Sequence, residues 1–163
     1  MLWHYFGNVP FYLENLSNPP YTAPQLTADE VYDQLIVELE AIIDSNVLPM
    51  RWDDTQAGRV SQAMAWMMYA EMVMYQNDES RYSKALQGMQ AIINSGQYAL
   101  NPDYANLWEE SGEWCSESIF EINYEDANNE RGWSSPLAIG GTVLPTLIAP
   151  NSWPGGDGWD GGD

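Results

Sequence analysis

Between Ala63 and Tyr75 the chain carries one charge, Glu71, and otherwise runs through alanine, methionine, aromatics and valine. With Ser61 placed ahead of it as an N-cap, this stretch predicts a helix that is apolar on every side. Such a helix is covered by neighbours and sits centrally in its bundle. Ala63, Ala65 and Ala70 let those neighbours approach closely. The longest apolar run, Ala63 to Ala70, falls far short of the roughly 20 residues that span a bilayer.

The neighbours are legible on either side. Thr27 and Glu30 form a T-x-x-E capping box. Val31, Leu35, Leu39 and Ile42 then recur at helical spacing, with Tyr32, Ile36 and Ile43 widening the stripe. This first full helix is predicted to end near Asp44, before Asn46 and Pro49. Asn77-Asp78-Glu79-Ser80 reads as a turn in which Ser80 caps the next helix. Tyr82, Ala85, Leu86, Met89, Ile92 and Ile93 supply its apolar stripe. Gly88 lies within that stripe at a cost of about 1 kcal/mol relative to Ala, which a close helix crossing would explain. Gly96 suits the C′ position, where φ is positive. The short turn at 77–80 forces the second and third helices to run antiparallel, and Tyr82-x-x-Ala85-Leu86 has the pattern of a tetratricopeptide-type hairpin. The expected fold class is therefore mainly α: tetratricopeptide-like helical hairpins with long irregular loops and one or two short strands. The helical bundle covers about 27–95, and a loop-rich segment about 97–163.

Outside the bundle the signals are shorter. Met1 to Phe6 is too brief for a stable isolated helix and reads as the tail of one. Pro19, Pro20 and Pro24 hold the following chain extended. Asp103 is placed to cap a short helix carrying Tyr104, Leu107 and Trp108. Ser118 to Tyr124 alternates, with Phe120, Ile122 and Tyr124 on one side and Glu121 and Asn123 on the other, which predicts a half-buried strand with no evident pairing partner. Residues 125–163 are turn-rich, and Asn151 to Asp163 holds five glycines and no aliphatic residue. Such a segment cannot bury enough surface to order itself, so it is expected to be a loop of a larger fold, the chain being partial at both ends.

Charge removes several function classes. The net charge is −19, from 24 acidic and 5 basic residues. Phosphate binding needs clustered Lys and Arg, whereas Arg51, Arg59, Arg81, Lys84 and Arg131 are scattered; nucleic acid and anionic lipid are excluded as partners. Cys115 is the only cysteine and His4 the only histidine, so no disulfide forms within the chain and no Cys/His nucleophile is expected. The methionines around Trp66 have core spacing rather than that of a metal site. Asp157, Asp160 and Asp163 match no calcium-loop spacing. No metal or cofactor is expected. Glu109–Glu110 and Glu121–Glu125 are unsuited to hydrolysis, which needs two carboxylates roughly 5–10 Å apart across a cleft.

The aromatic content points to a ligand instead. The chain has 8 Trp and 10 Tyr against 3 Phe, and Trp and Tyr combine a flat apolar face with a polar tip. Indole faces that meet sugar rings, with carboxylates or amides nearby for the hydroxyls, make glycan sites. The glycan-binding candidates are the loop residues Trp52 and Asp53 (with Asp54 adjoining), Trp133 beside Arg131, Trp153 beside Asn151, and Trp159 between Asp157 and Asp160. The alternative for each indole is that it packs a long loop onto the helices.

Six segments, in order, resemble one family. Phe6-Gly7-Asn8-Val9-Pro10 is similar to the fG-x-vP segment of the SusD/RagB family. Glu30-Val31-Tyr32 through Leu39 resembles its helix before an "LP" loop, here Leu48-Pro49, and Gly58-Arg59-Val60-Ser61 with the helix ending at Tyr75 resembles its central hairpin. Tyr82-Ser83-Lys84-Ala85, Ser95-Gly96-Gln97-Tyr98 and Glu117-Ser118-Ile119-Phe120-Glu121-Ile122 continue the pattern. The resemblance implies a tetratricopeptide-like, surface-exposed lipoprotein of the outer membrane. It implies a lid on a SusC-like TonB-dependent transporter that binds oligosaccharides, or sometimes peptides, without cleaving them. A protein-interaction scaffold is the alternative. The signal peptide and lipidated cysteine of the family are not in the sequence, so membrane attachment is expected only through a lipid anchor absent from this chain. The family keeps its sugar-contacting residues in no fixed motif, and none is carried over by position.

Overall fold

The nearly uncharged helix lies between two others, as its composition requires. The computed structural model describes residues 2–17, 19 and 21–123. Contacts divide the chain into two units, Met1–Glu121 and Ile122–Asp163, and the architecture below is that of the first. Its elements are α1 (Leu2–Phe6), β1 (Val9–Pro10), β2 (Gln25–Leu26), α2 (Ala28–Asp44), α3 (Gln62–Gln76) and α4 (Tyr82–Asn94), with short 3₁₀ turns between and after them. The class is mainly α, as the periodicity predicts. Among the described residues a single small sheet, β1 antiparallel to β2 with Val9 opposite Leu26, forms near the N-terminus and not where the alternating pattern pointed.

Local signals set the helix ends. The Thr27–Glu30 capping box is complete: the Glu30 carboxylate accepts from the Thr27 amide at 2.8 Å, and the Thr27 hydroxyl accepts from the Glu30 amide at 3.3 Å. Ser61 accepts from the Met64 amide at 3.2 Å and starts α3. Asn77, at φ +57°, ends α3 in the left-handed conformation that Asn tolerates. Gly96, at φ +65°, follows Ser95 at the end of α4 as expected.

Ser80 does not cap α4. Asp78 takes over the turn: its carboxylate accepts from the Ser80 amide and hydroxyl, and α4 starts at Tyr82 without a side-chain cap. Asp78 stands as the N-cap of the 3₁₀ turn Glu79–Arg81, where a carboxylate reaches both groups.

The core runs along α3. Tyr69 and Val73 are fully buried, joined by Val31, Tyr32, Ile36 and Ile43 of α2 and by Ala85 and Ile92 of α4. In α2 the buried positions are Val31 and the three that widen the stripe, Tyr32, Ile36 and Ile43, whereas Ile42 is 47% exposed. The buried face is thus rotated about one residue from the stripe of Leu35, Leu39 and Ile42, because α3 covers only part of a broad apolar arc. Gly88 is where α4 crosses α3: a Cβ there would overlap the Trp66 indole. At the other end, Trp3 of α1 packs edge-on to Tyr75 and tilted against Tyr32, which gives the five-residue helix the tertiary support it needs.

An ionic cluster ties α2, α3 and α4 at one edge. Arg81 donates to Asp78 (2.6 Å) and Glu40 (3.1 Å), Tyr32 to Asp78 (2.9 Å), Tyr69 to Glu40 (2.8 Å) and Lys84 to Asp44 (2.9 Å). The Ser80 hydroxyl, with Arg81 and Tyr32, holds the Asp78 carboxyl down to about 2, against 3.8 ordinarily. A depressed carboxyl contributes stability in full above its unfolded value and loses it as pH falls through the folded value. Asp78→Asn is therefore expected to lower unfolding free energy by about 1–2 kcal/mol at pH 6–7. The gap from wild type should close between about pH 4 and pH 2 in urea titrations at stepped pH. A gap unchanged at pH 2 would show that the charge is not what Asp78 supplies.

Candidate functional site

The loop between α2 and α3 carries the one indole candidate that falls among the described residues. Trp52 is half-buried; its Nε1–H donates to the Val60 carbonyl at 2.9 Å, so its polar tip is spent on the loop and its ring remains. The Arg59 guanidinium lies 6.0 Å from that ring's centroid, at the outer limit of a cation–π contact. Asp53 accepts from the Thr55 hydroxyl and, at 3.0 Å, from its amide, capping the 3₁₀ turn Asp54–Gln56. These bonds, the hydroxyl's first, lower the Asp53 carboxyl's pKa. The neighbouring carboxylate, Asp54, lines a small cleft with Trp52.

The opposite wall comes from residues 98–119, far away in sequence. Arg51 holds it. Its guanidinium donates to the carbonyls of Gln97 (3.1 Å), Ser116 (3.3 Å), Trp114 (2.9 Å) and Cys115 (2.9 Å) and lies over the Tyr98 ring at 4.9 Å. Arginine's fixed fork of donors suits this task. Trp114 has φ +54°, a left-handed conformation that is strained for a bulky residue. It is over-determined there: Glu121 accepts from its amide at 3.1 Å while Arg51 takes its carbonyl. The result turns the Trp114 indole onto Gly58, whose φ is +90° and which leaves ordinary contact distance for the ring.

Here the predicted strand 118–124 is corrected. No described residue from Ser118 to Asn123 is in a strand; alternation alone does not bring a pairing partner to the segment. Ile119 instead packs against the core and Glu121 reaches back to Trp114. A second concavity, lined by Met64, Met67, Met68, Met74, Ile119 and Phe120, runs along the side of α3 that α2 and α4 leave open. Met67 and Met68 are each 44% exposed, so α3, apolar all round, is not covered all round by the described residues.

Trp52 is thus placed at a cleft and Asp53 in the turn beneath it. Trp133, Trp153 and Trp159 lie outside the described residues. The cleft residues Arg59, Trp114 and Ser118 are not singled out by the sequence. One signal did exist for Arg59: it is a cation in an acid-rich chain with no carboxylate at helical spacing around it. Among the described residues there is no group of three or more His, Cys, Asp or Glu placed to hold a metal, and no helix is long and apolar enough to cross a membrane.

No family model and no curated protein matches the sequence. Solved structures do. Surface glycan-binding protein A from Bacteroides uniformis is 62% identical, with a TM-score of 0.79 over 99% of this chain and 32% of its own. Surface glycan-binding protein A from Bacteroides thetaiotaomicron, solved in complex with laminarihexaose, is 54% identical, with a TM-score of 0.83 over 95% of this chain and 32% of its own. A SusD-like carbohydrate-binding protein from Bacteroides fragilis shares the fold at 23% identity, with a TM-score of 0.64 over 76% of this chain and 24% of its own. The chain spans about a third of the length of the first two. With the six ordered segments, the helical hairpin and identities of this size across nearly all its residues, the chain belongs to the SusD-like family.

Proposed function

We infer that this protein captures oligosaccharides at the cell surface and does not cleave them, handing them to a SusC-like TonB-dependent transporter in the outer membrane. The observation that carries the reading is the 54% identical relative solved with laminarihexaose. The whole protein acts as a lipid-anchored surface component, and laminari-oligosaccharides are the first ligands to test. Trp52, with Asp53 shaping its turn, and the loop indoles Trp133, Trp153 and Trp159 are the proposed sugar-facing residues. Indole faces cover the apolar faces of pyranose rings, and the adjoining carboxylates and amides bond the hydroxyls.

Titration of the intact protein with laminarihexaose and a panel of other oligosaccharides, followed by calorimetry and Trp fluorescence, is expected to give saturable binding with no release of reducing ends. Silence towards every glycan would overturn the reading. Reducing ends appearing with purified protein would replace capture with hydrolysis. Co-purification of a TonB-dependent transporter from detergent-solubilised outer membranes checks the partner.

A further inference from the structure

The cleft between the α2–α3 loop and the Trp114 segment has polar groups whose bonding is unfinished. Among the described residues, Arg51, Arg81 and Lys84 are all held by hydrogen bonds or ion pairs. Arg59 is the exception: its guanidinium makes no hydrogen bond or ion pair among the described residues and lies 6.0 Å from the Trp52 ring centroid, in a chain of net charge −19 where carboxylates abound. Asp54 lines the same cleft, and its side chain has no hydrogen bond or ion pair among the described residues. The Ser118 hydroxyl, also in the lining, is buried and has no partner. A buried polar atom left without a partner costs about 1–3 kcal/mol, and a tryptophan held at positive φ adds local strain. Such features collect where a site is kept ready for a ligand.

We propose that this cleft is a glycan subsite that receives the hydroxyl-bearing edge of a neutral sugar ring, between the Trp52 and Trp114 indoles. The donor and acceptor inventory decides the class. Arg59 only donates, Asp54 only accepts and Ser118 does both. Sugar hydroxyls need donors and acceptors together, and a vicinal pair is matched by this set. An anionic ligand at Arg59 would be set against Asp54 and the field of a strongly acidic molecule. The cleft interior is about 30 Å³, room for a hydroxyl or hydroxymethyl group and not for a whole ring. The ring itself therefore lies at the mouth, against the indoles. Arg51 is a positioning residue here: it fixes the Trp114 wall through the backbone and touches no sugar.

This inference rests on the glycan-capture reading and is tested apart from it. In ¹⁵N-labelled intact protein, laminarihexaose and methyl β-D-glucopyranoside are titrated while the Arg59 Nε–H and Trp114 Nε1–H signals are followed; calorimetry is run on wild type, Arg59→Gln and Asp54→Asn. Both signals are expected to shift saturably. Each variant should weaken laminarihexaose roughly tenfold at unchanged melting temperature, since neither side chain holds up anything else. Full affinity in both variants overturns the subsite and leaves glycan capture standing, with the sugar elsewhere on the protein. If neither sugar moves the two signals, or if glucuronate moves them and neutral sugars do not, the subsite is also wrong, whatever laminarihexaose does elsewhere.

Discussion

Gly88→Ala is expected to lower the unfolding free energy by about 3 kcal/mol, although helix propensity alone would raise it by about 1 kcal/mol. The sign is decided by the Trp66 ring. A Cβ at position 88 would overlap its Cε3 and Cδ2 atoms and lie 2.9 Å from Cζ3. The ring cannot step aside: Trp66 is 9% exposed and stands edge-on to Tyr69, which is fully buried, with 5.8 Å between centroids. α4 would have to lift from α3 and expose Ala85 and Ile92. Urea denaturation of wild type, Gly88→Ala, Trp66→Leu and the double variant gives the cycle. The double variant is expected to be more stable than the sum of the single changes, because the smaller leucine removes the overlap. Additive losses would mean that the helices do not cross at Gly88.

Arg51→Ala is expected to cost about 3 kcal/mol and to free the segment from Tyr98 to Glu121. One guanidinium serves four carbonyls, and charge-assisted bonds are the stronger kind. Their removal leaves the Trp114 carbonyl without a donor among the described residues, the Cys115 carbonyl with the Ser118 amide alone, and Trp114 with no counterweight to its strained backbone. Arg51→Lys restores the charge but not the fork, so it should recover less than half of the loss. Hydrogen exchange separates this from general destabilisation. The Ala99 amide, bonded to the Ser116 carbonyl at 3.0 Å, should exchange much faster in Arg51→Ala, while amides in the middle of α3 should follow only the global change. Equal protection at Ala99 in variant and wild type would remove Arg51 from its role as the clamp.

These two residues mark where sequence reasoning reaches and where it ends. Gly88 was legible because a glycine inside a clean helical stripe contradicts its own propensity, and a close crossing resolves the contradiction. Arg51 stands in a polar loop with no periodicity, and its partners are 46 to 65 residues away. The strand expected at 118–124 failed for a related reason. Alternation describes what a segment would bury if paired, and pairing is a property of the neighbours. The site divides in the same way. Trp52 beside two aspartates is a visible local constellation, whereas its pairing with Trp114 and Ser118 exists only once residues 97–119 fold back.

The sequence by itself determined the three helices, their caps at Thr27 and Ser61, the left-handed glycine after α4 and the antiparallel hairpin, because each depends on residues within a turn or two of one another. Only the tertiary structure decided which arc of α2 is buried, that Asp78 and not Ser80 governs the 77–81 turn, and that one arginine holds a tryptophan in a strained backbone to wall a cleft. Those outcomes are set by contacts between groups distant along the chain, whose energies no local pattern contains.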